Sequence, residues 1–423
     1  RCAGMGAGLE VPMRPYACLM ILVLPVLPAR PVEIEKLATI DVPGFQVEIG
    51  AWCPGERLLL ATNPHWKTLD VFEVPSWDPP VLRPLDFDDD RPGEQGFYTM
   101  REATSVTVLP ERSVAVISVL GASVTAPGMV IGYDLRAEQR GRMLWMQPVG
   151  FHPDSLSASP DGKWVAVACE AEGHPDTPGS VWFLDARDIR ADQQAHATPP
   201  RATVVFDQFS ALLECPNGEV EPEYVAWDPR SRFAAVTCQE NDAVLLFDTR
   251  AAPALAGVFR TDSEAQPDGV SVLDGVPGPD GRPGCLIGVA EEGALDGLGR
   301  LKGQSASFWW VDPERLDEPA RMLSRVDLRP LVGGKKPAVR LEPEGILLAR
   351  HQDTVLGFVV TEKGDHLLAF DLADPAKPRL LQTFKTGDRP EGLLAVREGG
   401  RLYVVSCDEG DPAPGEITVL RVR

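Results

Sequence analysis

Residues 222–248 read Pro222-Glu223-Tyr224-Val225-Ala226-Trp227, then Asp228-Pro229-Arg230-Ser231-Arg232, then Phe233-Ala234-Ala235-Val236-Thr237-Cys238, then Gln239-Glu240-Asn241-Asp242, then Ala243-Val244-Leu245-Leu246-Phe247-Asp248. An acid after proline opens an alternating strand, a tight turn leads to a strand apolar at nearly every position, and an acidic loop leads to a third apolar strand ending in Asp. Three short strands joined this way predict an antiparallel meander.

The same order recurs on both sides. It runs from Pro153-Asp154 through SPDGKWVAVACE to Asp185, and from Pro267-Asp268-Gly269 through CLIGVAEEG to Asp312. It runs again from Pro343-Glu344-Gly345 through VLGFVVTEKGD to Asp371, and from Pro390-Glu391-Gly392 through GGRLYVVSCDE to ITVLRV. Two weaker copies precede these, one beginning at Glu102 and one at Gln46-Val47-Glu48-Ile49, which makes seven. A fourth apolar segment follows the third strand in the repeats, as at residues 202–206, 321–328 and 379–384. No segment of useful length shows a 3.6-residue stripe. Four-stranded units recurring about every fifty residues predict an all-β fold, a seven-bladed β-propeller of antiparallel blades. The last unit stops after its third strand, whereas residues 33–42 (EIEKLATIDV) look like a lone fourth strand. The N-terminal strand is therefore expected to complete the last blade and close the ring.

The domain reading is residues 33–423 as one propeller, preceded by residues 1–32 as a signal-peptide-like or disordered segment. In the latter, Met13-Arg14 precedes an apolar run over residues 17–27, too short to span a bilayer. The expected location is exported, periplasmic or secreted. Sixty-two acidic against 41 basic residues give a formal net charge of −21, which disfavours nucleic acid and favours metal cations or basic ligands. Eight cysteines form no zinc-spaced cluster. Cys169, Cys238 and Cys407 are expected to share one packing position in three repeats, and Cys53, Cys215 and Cys285 could pair in an oxidising compartment. There is no HExxH, no GxSxG and no Walker sequence.

In a four-stranded blade the start of the innermost strand and the loop between strands two and three open on one face. The ligand-binding candidates are therefore the acids at the channel mouth, Glu102, Asp154, Glu223, Asp268, Glu344 and Glu391, with Arg101, Arg340 and Arg389 beside three of them. Around them lie Glu170, Glu172, Glu240, Glu291, Glu292, Glu362, Asp408 and Glu409 from the second loops. Glu223, Glu240, Glu344, Glu362, Glu391 and Asp408 are the metal-ligand candidates, with calcium as the cofactor. A mouth acid could instead accept backbone N–H bonds from the next blade. The Asp residues ending strand three (Asp134, Asp185, Asp248, Asp312, Asp371) are expected on the opposite face, bonding their own turns. Residues 291–307 are expected to form a long loop on the site face.

The units EATSVTV, PDSLSASPDGKWVAVACEAEG, EPEYVAWDPRSRFAAVTCQENDAVLLFD, LEPEGILL and RPEGLLAV resemble the choice-of-anchor I propeller domain, a bacterial, exported family akin to YVTN-repeat and phytase-like esterase propellers. The family's usual Asn before the acidic loop is replaced here by Cys169 and Cys407. The phytase-like kinship implies calcium-dependent phosphoester hydrolysis. Two functions follow: an exported binding or scaffold propeller with an acidic, calcium-holding mouth, or a metal-dependent hydrolase of a phosphoester or lactone. A small molecule or protein is the expected partner at the mouth, with no nucleic acid, no membrane span and a monomeric state.

Overall fold

The second and third strands of each repeat are buried over most of their length, as in the FAAVTC and AVLLFD segments, because each blade is covered by a neighbour on either side. The computed structural model describes residues 32–42, 46–85, 97–99, 101–123, 126–170, 179–190, 192, 199–205, 213, 220–332, 340–410 and 414–423. The apolar run over residues 17–27, Glu172 and Cys215 lie outside them. Among the described residues, no helix is long and apolar enough to cross a membrane.

Seven antiparallel sheets account for the architecture. Blade 1 contains β2 (Gly50–Cys53), β3 (Leu58–Asn63) and β4 (Thr68–Trp77), with β5 (Pro80–Pro84) and β6 (Phe97–Tyr98) both pairing with β4. Blade 2 is β7 (Ala103–Leu109), β8 (Val114–Val119), β9 (Met129–Asp134) and β10 (Met143–Pro148). Blade 3 is β11 (Pro153–Ala158), β12 (Trp164–Cys169), β13 (Ser180–Asp185) and β14 (Ala202–Val205), and blade 4 is β15 (Pro222–Trp227), β16 (Phe233–Cys238), β17 (Ala243–Asp248) and β18 (Ala254–Arg260). Blade 5 is β19 (Pro267–Pro277), β20 (Pro283–Glu291), β21 (Ser305–Val311) and β22 (Arg321–Asp327). Blade 6 is β23 (Pro343–His351), β24 (Thr354–Thr361), β25 (His366–Asp371) and β26 (Arg379–Lys385). Blade 7 is β27 (Pro390–Glu398), β28 (Arg401–Asp408) and β29 (Glu416–Val422), completed by β1 (Ile34–Asp41).

The ring closes as the sequence predicts. The innermost strands touch in the cyclic order β2, β7, β11, β15, β19, β23, β27 and back to β2. Strand β1 pairs with β29 from Ile34 opposite Val422 to Asp41 opposite Glu416, and Arg421 reaches Glu35 at 2.7 Å. That junction leaves neither end of the ring as an open sheet edge.

The apolar core sits in the wedges between blades. Phe183, Trp227 and Phe247 fill the wedge between blades 3 and 4, with ring centroids 5.3 to 6.3 Å apart. Phe259 and Trp309 meet at 4.7 Å between blades 4 and 5. Burying one such side chain contributes roughly 1.5–3 kcal/mol. The strand-three aspartates behave as turn residues. Asp134, Asp185, Asp248, Asp312 and Asp371 each accept the backbone N–H two residues on, at 2.9 to 3.2 Å.

Candidate functional site

Strand register fixes which residue each blade sends to the channel mouth. Pro153 pairs with Cys169, Pro222 with Cys238, Pro267 with Glu291, Pro343 with Thr361 and Pro390 with Asp408, and in each case the next residue is an acid: Asp154, Glu223, Asp268, Glu344 and Glu391. Two positions differ from the sequence reading. In blade 2 Ala103 pairs with Val119, so Thr104 holds the ring position and Glu102 stands two residues ahead, exposed on the rim. In blade 1 Gly50 pairs with Ala61 as Leu156 pairs with Val167, which puts Glu48 in the ring. Glu48 was missed because no proline or glycine flanks it, although it stands in the quoted Gln46-Val47-Glu48-Ile49.

The residue two before the ring acid adopts a left-handed backbone in five blades: Gln46, His152, Gln266, Glu342 and Arg389 have φ between 42° and 65°. Its carbonyl accepts the N–H of the first residue after strand two, as in Glu170 to His152 (3.1 Å), Glu292 to Gln266 (3.0 Å), Glu362 to Glu342 (2.8 Å) and Glu409 to Arg389 (2.8 Å). This pairing places the second loop directly over the ring acid. Glycine after the acid serves close approach: a Cβ on Gly345 would lie 2.3 Å from the Glu391 carbonyl oxygen.

The ring surrounds a cavity of about 330 Å³ lined by Glu48, Glu102, Asp154, Glu223, Asp268, Glu292, Glu344 and Glu391, with His152, Gln239 and Tyr224. Among the described residues, no Lys or Arg is in its lining. The ring acids are half-buried by area, since they face the cavity, yet protein encloses them on the other sides. Burial, followed by the neighbouring carboxylates, pushes Glu48, Asp154, Glu223, Glu344 and Glu391 well above the usual carboxylate range. Burial takes Asp268 up to about 6, and burial with Asp268 takes Glu292 up to about 7. The Tyr224 phenol is pushed up by burial and then by Asp268 and Glu391, so it stays neutral beneath the ring.

Two sets of three carboxylates are built alike: ring acid and loop acid of one blade plus the ring acid of the next. They are Asp154, Glu170 and Glu223 between blades 3 and 4, and Asp268, Glu292 and Glu344 between blades 5 and 6, with ligating atoms within 4.8 Å of one another. Such a group could hold a hard cation through oxygen. A third group, Glu342, Glu344 and Glu362, contains a cation of its own, because Lys363 Nζ reaches Glu342 at 3.0 Å and Glu362 at 2.6 Å.

Of the remaining candidates, Arg340 pairs with Glu292 (2.5 Å) and Glu342 (3.0 Å), and Arg389 with Glu362 (2.5 Å) and Glu409 (3.0 Å). Burial acts to raise the Glu362 carboxyl, but hydrogen bonds from Glu342, Lys363 and Arg389 hold it below the usual range. Arg101 is half-buried and does not line the cavity. Glu240 is exposed, one residue beyond the loop acid position, and accepts from Gln266 at 2.6 Å. Asp408 ends β28 level with Cys169 and Cys238, buried and bonded to Thr418 Oγ1 (2.7 Å) and the Gly387 N–H (2.9 Å). It is therefore Asp408, and not Cys407, that shares the packing position of those two cysteines. Glu291 has the same place in blade 5, bonded to Ser307 at 2.7 Å. Cys53 and Cys285 are free, buried thiols.

Residues 91–256 match the family model of the Choice-of-anchor I domain. No curated protein sequence matches the chain. Among solved structures, hydrazine synthase of Kuenenia stuttgartiensis superposes with a TM-score of 0.59 at 14% identity, covering 90% of this chain and 97% of that one. At that identity the likeness is one of fold.

Proposed function

We propose that the protein is an exported binding propeller that takes up a divalent cation, calcium in the first place, at the acidic mouth and uses it to hold a ligand or partner. One observation carries this reading: eight carboxylates line a single cavity whose lining, among the described residues, contains no Lys or Arg. Carboxylates crowded in this way either keep protons or recruit a cation, and a hard cation with oxygen preference fits an all-carboxylate set. The match over residues 91–256 and the apolar N-terminal run support export.

Calcium added to chelator-treated protein at a hundredfold excess over its Kd should stabilise the fold by about 2.7 kcal/mol. The check is a thermal melt with and without calcium; no shift with calcium, magnesium or manganese sinks the reading. A second reading, a metal-dependent phosphoester or lactone hydrolase, is favoured by one contact. His152 Nδ1 lies 2.7 Å from Glu170 Oε2, which puts an acid–base group beside a carboxylate set. Turnover on an ester, lactone or phosphoester panel that disappears in chelator supports this second reading; turnover unaffected by chelator excludes it.

A further inference from the structure

We infer that the primary cation site is the wedge between blades 3 and 4, formed by Asp154, Glu170 and Glu223, and not the similarly built wedge between blades 5 and 6. This inference rests on the cation-binding reading above and narrows it to three residues. In both wedges the ligating atoms lie within 4.8 Å of one another. They differ in how far each is already satisfied. Between blades 5 and 6, the Arg340 guanidinium bonds Glu292 Oε1 at 2.5 Å, so part of the negative charge is neutralised within the chain. Between blades 3 and 4, no Lys or Arg reaches Asp154, Glu170 or Glu223 among the described residues, and the basic contact is His152 on Glu170.

A second observation points the same way. Among the described residues, Glu223 Oε2 is sealed from solvent and receives no N–H or hydroxyl donor, its interacting neighbours being the Asp154 and Glu170 carboxyls, while Arg340, Lys363 and Arg389 supply partners on the other side of the mouth. A buried carboxylate oxygen without a donor is costly, and a bound cation removes that cost. The backbone holds the three side chains in place independently of any ion. The Glu170 N–H bonds the His152 carbonyl at 3.1 Å, and Pro153 and Pro222 lead into the two ring acids from adjacent strands. Three carboxylates from two rigid strands and one anchored loop form an oxygen site suited to calcium or manganese.

Calorimetric titration of calcium into the chelator-treated full chain tests the assignment. Glu223→Gln should weaken the tightest site by at least about tenfold, whereas Glu292→Gln should leave it within about threefold. The assignment is overturned if the wild type binds calcium and Glu223→Gln binds it equally well; the broader cation reading then survives. If the wild type binds no divalent ion, both fall. Anomalous scattering from manganese-soaked wild-type crystals avoids any folding defect of the variants. A peak within about 2.5 Å of oxygens from Asp154, Glu170 and Glu223 supports the site; a peak confined to Asp268, Glu292 and Glu344 overturns it.

Discussion

Two three-residue clusters of similar size lie between neighbouring blades on opposite faces: Asp154, Glu170 and Glu223 at the mouth, and Asp228, Asp274 and Cys285 on the far side between blades 4 and 5. The far cluster is built around an arginine. Arg232 Nε lies 2.7 Å from Asp228 Oδ2, its Nη2 lies 2.5 Å from Asp274 Oδ1, and Arg230 adds a 2.8 Å contact to Asp274. Burial would raise the Asp228 carboxyl, but its bonds to Arg232 win and hold it below the usual range. At the mouth, burial and like charge act together on Asp154 and Glu223, and the nearby His152 offsets them only in part at Asp154, so both carboxyls stay well above the usual range. One fold thus produces two kinds of interblade wedge: with an arginine inside, the acids join the blades; without one, the carboxyls crowd together with no internal guanidinium.

The largest effect should come from removing the internal cation. Arg232→Met leaves buried Asp228 without a counter-charge and Asp274 with Arg230 as its remaining partner, and breaking a buried pair from one side costs about 3–5 kcal/mol. Denaturant unfolding measures it, and a loss below about 1 kcal/mol would show that the arginine does not hold the far wedge. A smaller effect separates the two wedges by sign. Asp228→Asn should cost about 1–3 kcal/mol, because a charged hydrogen bond is lost in a buried setting. Asp154→Asn in chelator should cost nothing or stabilise by up to about 1 kcal/mol, since it relieves repulsion. If both variants shift stability in the same direction by the same amount, the distinction fails.

Much of this was readable in the chain. The repeated strand order revealed the number of blades, and the proline–acid pairs five of the ring positions, three of them followed by glycine, because proline, acid and glycine each meet a separate demand there: strand start, mouth charge and close blade approach. The wedges were harder. Glu102 appeared to be the blade 2 ring acid until the pairing of Ala103 with Val119 put Thr104 there, since a shift of one or two residues at a strand start leaves no compositional trace. Asp408 and Glu409 are adjacent in sequence yet have different roles, Asp408 facing Thr418 inside its blade and Glu409 meeting Arg389 at the mouth. Arg232 stood in a turn, and its partner Asp274 lies 42 residues away on the next blade. Contacts between blades follow from the ring geometry, which the local pattern does not encode.

The smallest expected effect concerns pH. Asp268 at about 6 and Glu292 at about 7 lie above the values near 4 that carboxyls have in an unfolded chain. The folded protein therefore binds more protons than the unfolded one over this range, so the associated stability is present below about pH 4 and is lost as pH rises through 6 and 7. Asp228 works oppositely, but its loss begins only as pH falls below about 4. Chelated protein should accordingly melt at a higher temperature at pH 5.5 than at pH 8, by on the order of a few °C. Buried Asp70 (about 6), Glu291 (about 7) and Asp408 (about 7) contribute with the same sign but lie off the cavity lining. Calcium discriminates between the two groups. It should raise the melting temperature more at pH 8, where fewer protons compete for the mouth carboxylates, than at pH 5.5, while leaving the buried acids inside the blades unaffected. A calcium shift equal at both pH values would mean that the ion binds somewhere other than the acid ring.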